Sequence, residues 1–253
     1  MWFELEWMGG TAERLFHEHR GDRLDEIPWS AIQARGLSDA ERDRLRTTWT
    51  RSAHQEWCAA GAFTALLGAL LEARAPVDLI GMAGRFVADE MVHVELSARM
   101  ANAYGGGVPL ESPPEAVHPH VDPASDPLQR ACELAVRVSC VGESFSLPLI
   151  ASELAKASDP ASRAVLGRIA ADEAPHAKVG WIVLDWALPR VTDAERERLG
   201  SVADDAVRAL LPAVREAPGH LPFYGQVLGS RIVEPLAARG VPVTAGFPAP
   251  TAA

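Results

Sequence analysis

Two short stretches carry the residues best suited to chemistry. Ala88-Asp89-Glu90-Met91-Val92-His93 and Ala171-Asp172-Glu173-Ala174-Pro175-His176 share the pattern Ala-Asp-Glu-x-x-His. On a helix, Glu at i and His at i+3 lie on one face about a turn apart, so each copy directs a carboxylate and an imidazole at a common point. Two such points can share a pair of metal ions. A four-helix di-metal carboxylate site needs two further glutamates, one from each remaining helix. Glu56 and Glu143 fit these places. Glu56 precedes Glu90 by 34 residues and Glu143 precedes Glu173 by 30, separations that each suit one antiparallel helix hairpin.

The elements that must position these side chains are legible from caps and breakers. Ser38-Asp39-Ala40-Glu41 is a capping-box sequence, and helix-forming residues run from it to about Arg74, where Pro76 stops them. Glu56 lies at the middle of this helix. Trp49, Ser52, Ala53, Ala60, Phe63 and Leu67 make an apolar or small-residue stripe on its face, which turns Glu56 inward. A second helix is expected from about Val77 to Tyr104, ended by Gly105-Gly106-Gly107, with Ala83, Phe86, Glu90, His93, Val94, Ser97 and Met100 on its inward stripe. Residues 105 to 125 are too dense in Gly and Pro to be helical throughout and read as a long crossover. Asp126-Pro127 opens a third helix, to about Ala157, and Asp159-Pro160 a fourth, to about Leu188. Pro148 and Pro175 fall inside these two and are expected to bend them near Glu143 and His176.

The remainder is read as extension around one domain spanning 1–253. Residues 1–37 carry Trp2, Phe3, Trp7, Phe16 and Trp29 and are expected to add a helix or two. The bundle occupies 39–188. Over 189–240, a capping box at Thr192-Asp193-Ala194-Glu195 opens a fifth helix to about Val214, and a shorter one covers Gln226 to Arg239. The tail, 241–253, is expected to be irregular.

Composition narrows the partners. The chain of 253 residues is 48% hydrophobic and 23% charged with a net charge of −10, which argues against a nucleic-acid or anionic-membrane partner. Cys58, Cys132 and Cys140 form no CxxC pair, so neither a disulfide framework nor a thiolate metal cluster is indicated, and a reducing, cytoplasmic setting is expected. The first residues show no basic and apolar leader, and no segment holds 18 uninterrupted apolar residues. Four inward carboxylates carry a formal charge that two divalent metals would cancel. Carboxylate and imidazole without thiolate suit iron or manganese, and zinc or copper less specifically.

On these residues the chain resembles the ferritin-like di-iron carboxylate superfamily, whose oxidase and oxygenase branches use Glu…ExxH…Glu…ExxH; the likeness covers about residues 39–188. It implies an all-α, ferritin-like four-helix bundle with a long crossover between its second and third helices and helical extensions at both ends. It implies metal ligation by Glu56, Glu90, His93, Glu143, Glu173 and His176, with Glu90 and Glu173 bridging. By the same resemblance, Asp172 accepts the ring N–H of His93 and Asp89 that of His176, which fixes each tautomer. Ser146 matches the place where acyl-carrier-protein desaturases carry a hydroxyl residue that assists oxygen activation, and is the candidate catalytic side chain. Departures narrow the branch. Ser97 one turn after His93, with tyrosine only at 104 and 224, counts against a stored tyrosyl radical; Ser146 counts against rubrerythrins, and Ile169 against the amine N-oxygenases that carry a histidine there.

The expected activity is that of a non-haem di-iron oxidoreductase with two iron ions, manganese being the alternative, that uses O2 to hydroxylate, N-oxygenate or desaturate a small organic substrate. No dinucleotide fingerprint or cysteine cluster is present, so electrons must come from a separate reductase, ferredoxin or flavin. Assembly as a homodimer is left open. Phe86, Ser97, Cys140, Leu147, Ile169 and Gly180 are expected around the substrate, with Trp57 and Cys140 read as pocket, electron path or core. Two other readings stand beside this one. One is iron storage as a ferroxidase, which some 65 residues after the fourth helix would encumber; the other is a purely structural metal site.

Overall fold

Caps and stops written into the sequence set where the helices begin and end. The computed structural model describes residues 1–20, 24, 26–32 and 36–247, and among these it is all-helical, without a strand. Parts of the expected N-terminal extension (21–23, 25, 33–35) and of the expected tail (248–253) lie outside the described residues. The helices are α1 (Gly10–Arg20), α2 (Asp39–Glu72), α3 (Val77–Ala103), α4 (Pro127–Ala135), α5 (Ser144–Lys156), α6 (Pro160–Ala187), α7 (Asp193–Ala209), α8 (Leu211–Glu216), α9 (Leu221–Leu228) and α10 (Glu234–Ala237). α4 and α5 are joined without a break by a π-helical stretch, Val136–Glu143, and α9 and α10 by another, Gly229–Val233.

α2 opens on the expected capping box: the Ser38 N–H donates to Glu41 at 2.9 Å and the Glu41 N–H to Ser38 Oγ at 3.3 Å, satisfying two donors the first turn leaves over. It closes with the Ala75 N–H donating to the Leu70 carbonyl at 2.9 Å, a wrap that forces Arg74 to φ +53°. Glycine is the usual residue there. α3 ends on the same wrap, the Gly106 N–H donating to Ala101 at 3.0 Å, and here Gly105 meets the positive φ at no steric cost. Asp126 caps α4 through the Leu128 N–H, Asp159 caps α6 through the Ser162 N–H, and Thr192 with Glu195 forms the capping box of α7. The sequence expectation of one fifth helix reaching Val214 is corrected: α7 stops at Ala209 and α8 starts anew at Leu211, with Pro212 in its first turn, where a missing N–H leaves no helical bond unmade. The last helix starts earlier than expected, at Leu221, with Pro222 again in its first turn.

The contacts divide the chain into two compact units that both draw on α2, α3, α5 and α6: Met1–Thr64, Gly84–Pro119 and Ala151–Asp172 make one; Ala65–Ala83, His120–Ile150 and Glu173–Ala253 make the other. In the first, Trp49, Ala53, Ala60 and Phe63 of α2 and Phe86, Val94 and Met100 of α3 are buried, as the stripes predicted, and the Phe63 and Phe86 rings meet edge to face at 5.3 Å. The crossover is fastened along α2 in this unit. Arg46 donates to the Gly106 and Gly107 carbonyls at 2.8 and 3.1 Å, Thr50 Oγ1 accepts the Val108 N–H, and His54 meets Ser112 at 2.7 Å. At Gly61 a Cβ would stand 2.3 Å from the Val117 carbonyl, so only glycine lets the chain lie this close.

The second unit is built on a core that includes Val136, Cys140, Phe145, Leu184, Leu199, Val207, Ile232 and Leu236. The described residues of the tail, 241–247, are not helical, as expected, but they are fastened. Val241 is fully buried, the Thr244 and Ala245 N–H groups donate to Asp204 at 2.8 and 2.7 Å, and the Pro242 carbonyl lies where a Cβ on Gly200 would be. Among the described residues, one helical run, Pro127–Lys156, is long and apolar enough to cross a bilayer, and 56% of its most apolar window is buried within the protein.

Candidate metal centre

The inward stripes bring carboxylates and imidazole together at mid-helix. One ligand atom each from Glu56 of α2, Glu90 and His93 of α3, and Glu173 of α6 all lie within 4.8 Å of one another. His93 and Glu90 are fully buried, Glu173 is 2% exposed, and the Glu56 side chain keeps 14% of its surface. His93 Nδ1 faces Glu90 Oε2 at 3.3 Å and Glu56 Oε2 at 3.8 Å. The first contact follows from the i, i+3 spacing; the second requires α2 to present Glu56 at the matching height, which the Ser97 to Ser52 hydroxyl bond (3.3 Å), one turn away on each helix, helps to fix.

The other nitrogen of His93 is held from α6. Nε2 lies 3.4 Å from Asp172 Oδ2, and the same oxygen accepts from Arg168 Nε at 2.5 Å, one turn earlier on α6. Burial works to raise the Asp172 carboxyl, but the bonds from His93 and Arg168 and the guanidinium charge outweigh it and hold the group below the ordinary aspartate range. Asp172 is thus an anion oriented by one cation and aimed at one imidazole. Asp89, its counterpart in the first motif, binds Arg85 Nε at 3.3 Å, also one turn earlier. Sequence reasoning missed both arginines, although Arg at i−4 from Asp is a readable signal.

In the second unit Glu173 and His176 meet as their spacing dictates, Oε2 lying 3.1 Å from Nδ1, with the ring fully buried. Glu143, 9% exposed, stands at the end of the π-helical stretch, and Ser146 Oγ donates to its Oε2 at 3.1 Å and to its carbonyl at 3.3 Å. Neither Glu143 nor His176 is part of the four-residue cluster. A π-helical turn shifts every following side chain by about 100° around the axis, and such bulges concentrate at functional sites. Pro148, the expected site of a bend, lies inside α5, downstream of this change of hydrogen-bond register.

The residues expected around a substrate are mostly core. Phe86 is taken up by Phe63, Ile169 is 2% exposed, and Cys140 is fully buried, its thiol pushed well above the usual range by burial, so it packs without ionising. Trp57 is 39% exposed and turns away from the cluster, since a neighbour of inward Glu56 is rotated by about 100°. With Trp7 and Phe16 it lines a cavity of about 430 Å3 beneath the N-terminal residues, a feature the sequence reading did not anticipate.

The donor set fits divalent metal on charge and on reach. At 4 Å and an effective dielectric near 20, each pair of carboxylates repels by about 4 kcal/mol. Three of them buried together call for compensating positive charge. Donors on one ion lie about 2.0–2.2 Å from it and hence at most about 4.4 Å apart, while donors divided between two ions about 4 Å apart spread further. Donor atoms within 4.8 Å of one another are close enough to converge on a bound metal ion. Carboxylate and imidazole without thiolate favour the harder transition metals. No protein-family model, curated protein or solved structure matches the chain.

Proposed function

We propose that the protein is a non-haem di-iron oxidoreductase of ferritin-like architecture that activates O2 to oxidise a small organic substrate. The observation that carries this reading is the buried cluster of Glu56, Glu90, His93 and Glu173, with Asp172 set behind His93. Glu56, Glu90, His93, Glu143, Glu173 and His176 would hold two iron ions, or manganese, which supply redox equivalents and open coordination positions for O2. The protein's own part is orientation and exclusion of water. Asp172 would fix the tautomer of His93 by accepting from Nε2, leaving the Nδ1 lone pair for a metal ion on the side that Glu90 and Glu56 face. Ser146 holds the Glu143 carboxylate through Oε2 and would keep that side chain from swinging freely, a role beside the oxygen-assisting one its position suggested.

Electrons would come from a separate reductase, ferredoxin or flavin. The free thiols of Cys58, Cys132 and Cys140 fit a reducing, cytoplasmic setting. The test begins with metal content and ends with turnover. Anaerobically reduced iron protein is mixed with oxygenated buffer by stopped flow, and transient absorbance is followed across a panel of aromatic, amine and acyl compounds. Two irons per chain and a transient whose decay quickens with one compound class are expected. Iron accumulating far beyond two per chain without any substrate effect would instead establish storage, and bound metal inert to oxygen a structural site.

A further inference from the structure

Ser139 lies outside the motif, yet its hydroxyl joins the two segments that carry Glu143 and His176. The residue is fully buried in the π-helical stretch that ends at Glu143. Its Oγ donates to the His176 carbonyl at 2.6 Å and accepts the Gly180 N–H at 2.8 Å. In an α-helix those two groups are partners in a single i→i−4 rung, so a hydroxyl from another helix sits on the rung that starts at His176. On the other side of His176, Pro175 brings no N–H and cannot serve the Ala171 carbonyl. The helix thus lacks one rung just before His176 and carries the Ser139 hydroxyl on the rung that starts there.

The other end of Ser139 is tied as well. Its carbonyl accepts Ser144 Oγ at 3.0 Å, and Ser144 follows Glu143 directly. Gly180 makes the contact sterically feasible: a Cβ there would stand 2.7 Å from Cys140 Sγ, 2.8 Å from the Ala135 carbonyl and 2.8 Å from Ser139 Cβ. A hydroxyl with donor and acceptor capacity both used, between two helices in closest approach, acts as a spacer of fixed length.

We propose that Ser139 is a positioning residue that sets the spacing of Glu143 and His176 and, through it, the affinity of the centre for its second metal ion. This rests on reading those two side chains as ligands. Without the hydroxyl, the Gly180 N–H and His176 carbonyl pair only with each other, the turn tightens, and the imidazole moves.

The test compares metal-free full-length wild type, Ser139→Ala and Ser139→Cys, the last keeping a weak donor and acceptor of similar size. Each is titrated with Co2+ by visible absorbance and calorimetry, and the metal-free proteins are crystallised. Expected are two Co2+ per wild-type chain, and in Ser139→Ala an unchanged first site with a second weakened about 10- to 100-fold. Far-UV circular dichroism should stay as in wild type, the His176 carbonyl and ring should shift by roughly 0.5 Å or more, and Ser139→Cys should fall between. A folded Ser139→Ala protein binding both ions with wild-type affinity overturns the proposal. Wild type that takes up no Co2+ overturns the di-metal reading instead, and Ser139 is then judged on the crystal structures, where an unmoved His176 refutes it. Should Ser139→Ala fail to fold, Ser139→Cys carries the same comparison.

Discussion

His93 Nε2 and Asp172 Oδ2 lie 3.4 Å apart, on the side of the ring opposite the Nδ1 that faces Glu90 at 3.3 Å. The imidazole thus lies between Asp172 on one side and, on the other, carboxylates that could bind a metal together with its Nδ1. Asp172→Asn should weaken metal binding about 10- to 100-fold while the helices stay folded, because an amide does not fix the tautomer as an anion does. Arg168→Gln should act in the same direction and less strongly, as Asp172 loses the guanidinium that holds it. Metal titration followed by absorbance checks both, and unchanged affinity in the two variants would remove the role.

The crowding of Glu56, Glu90 and Glu173 gives a change of sign between metal-free and metal-loaded protein. Glu90→Gln removes one of three mutually repelling charges and should raise the unfolding free energy of metal-free protein, by up to a few kcal/mol given about 4 kcal/mol per pair at 4 Å. With metal present the order should reverse. An ion at 100 times its dissociation constant stabilises wild type by about 2.7 kcal/mol per site, and the variant loses this with its affinity. Thermal unfolding with and without chelator reads both signs.

Arg74 occupies a left-handed position, φ +53°, at the end of α2. A side chain there costs roughly 1–2 kcal/mol, part of which glycine gives back through its greater freedom when unfolded. Arg74→Gly should therefore stabilise the protein by up to about 1 kcal/mol, measured by urea unfolding; a destabilised variant would show that the Arg74 side chain makes contacts worth more than the strain.

Asp204 fastens the C-terminal residues and supplies a pH dependence. Burial opposes ionisation, but Thr244 Oγ1, the Ala245 and Thr244 N–H groups and Arg208 together hold its carboxyl below the ordinary value of 3.8. A depressed folded value means the stability is fully present above the unfolded pKa and is lost as pH falls through the folded one. Residues 241–247 should stay docked at neutral pH and loosen only below about pH 4. Asp204→Asn should loosen them at every pH, seen as faster amide exchange at Thr244 and Ala245.

What the sequence determined was everything local. The capping boxes at Ser38 and Thr192, the Asp-Pro starts of α4 and α6 and the glycine stop after α3 are bonds among residues a few places apart, so spacing alone specifies them. The pairs Glu90–His93 and Glu173–His176 are legible for the same reason, one helical turn fixing their reach. The tertiary structure decided whatever depends on how helices meet. That Asp172 reaches His93, 79 positions away, follows from the heights at which α3 and α6 pack, which no local pattern encodes. The place of Ser139 on the His176 rung depends on Gly180 having no Cβ, a fact visible in the chain but meaningless until Cys140 and Ala135 are seen against it. A contact of this kind is set by the neighbour it must fit, because close-packed interiors leave no slack to absorb a misplaced side chain.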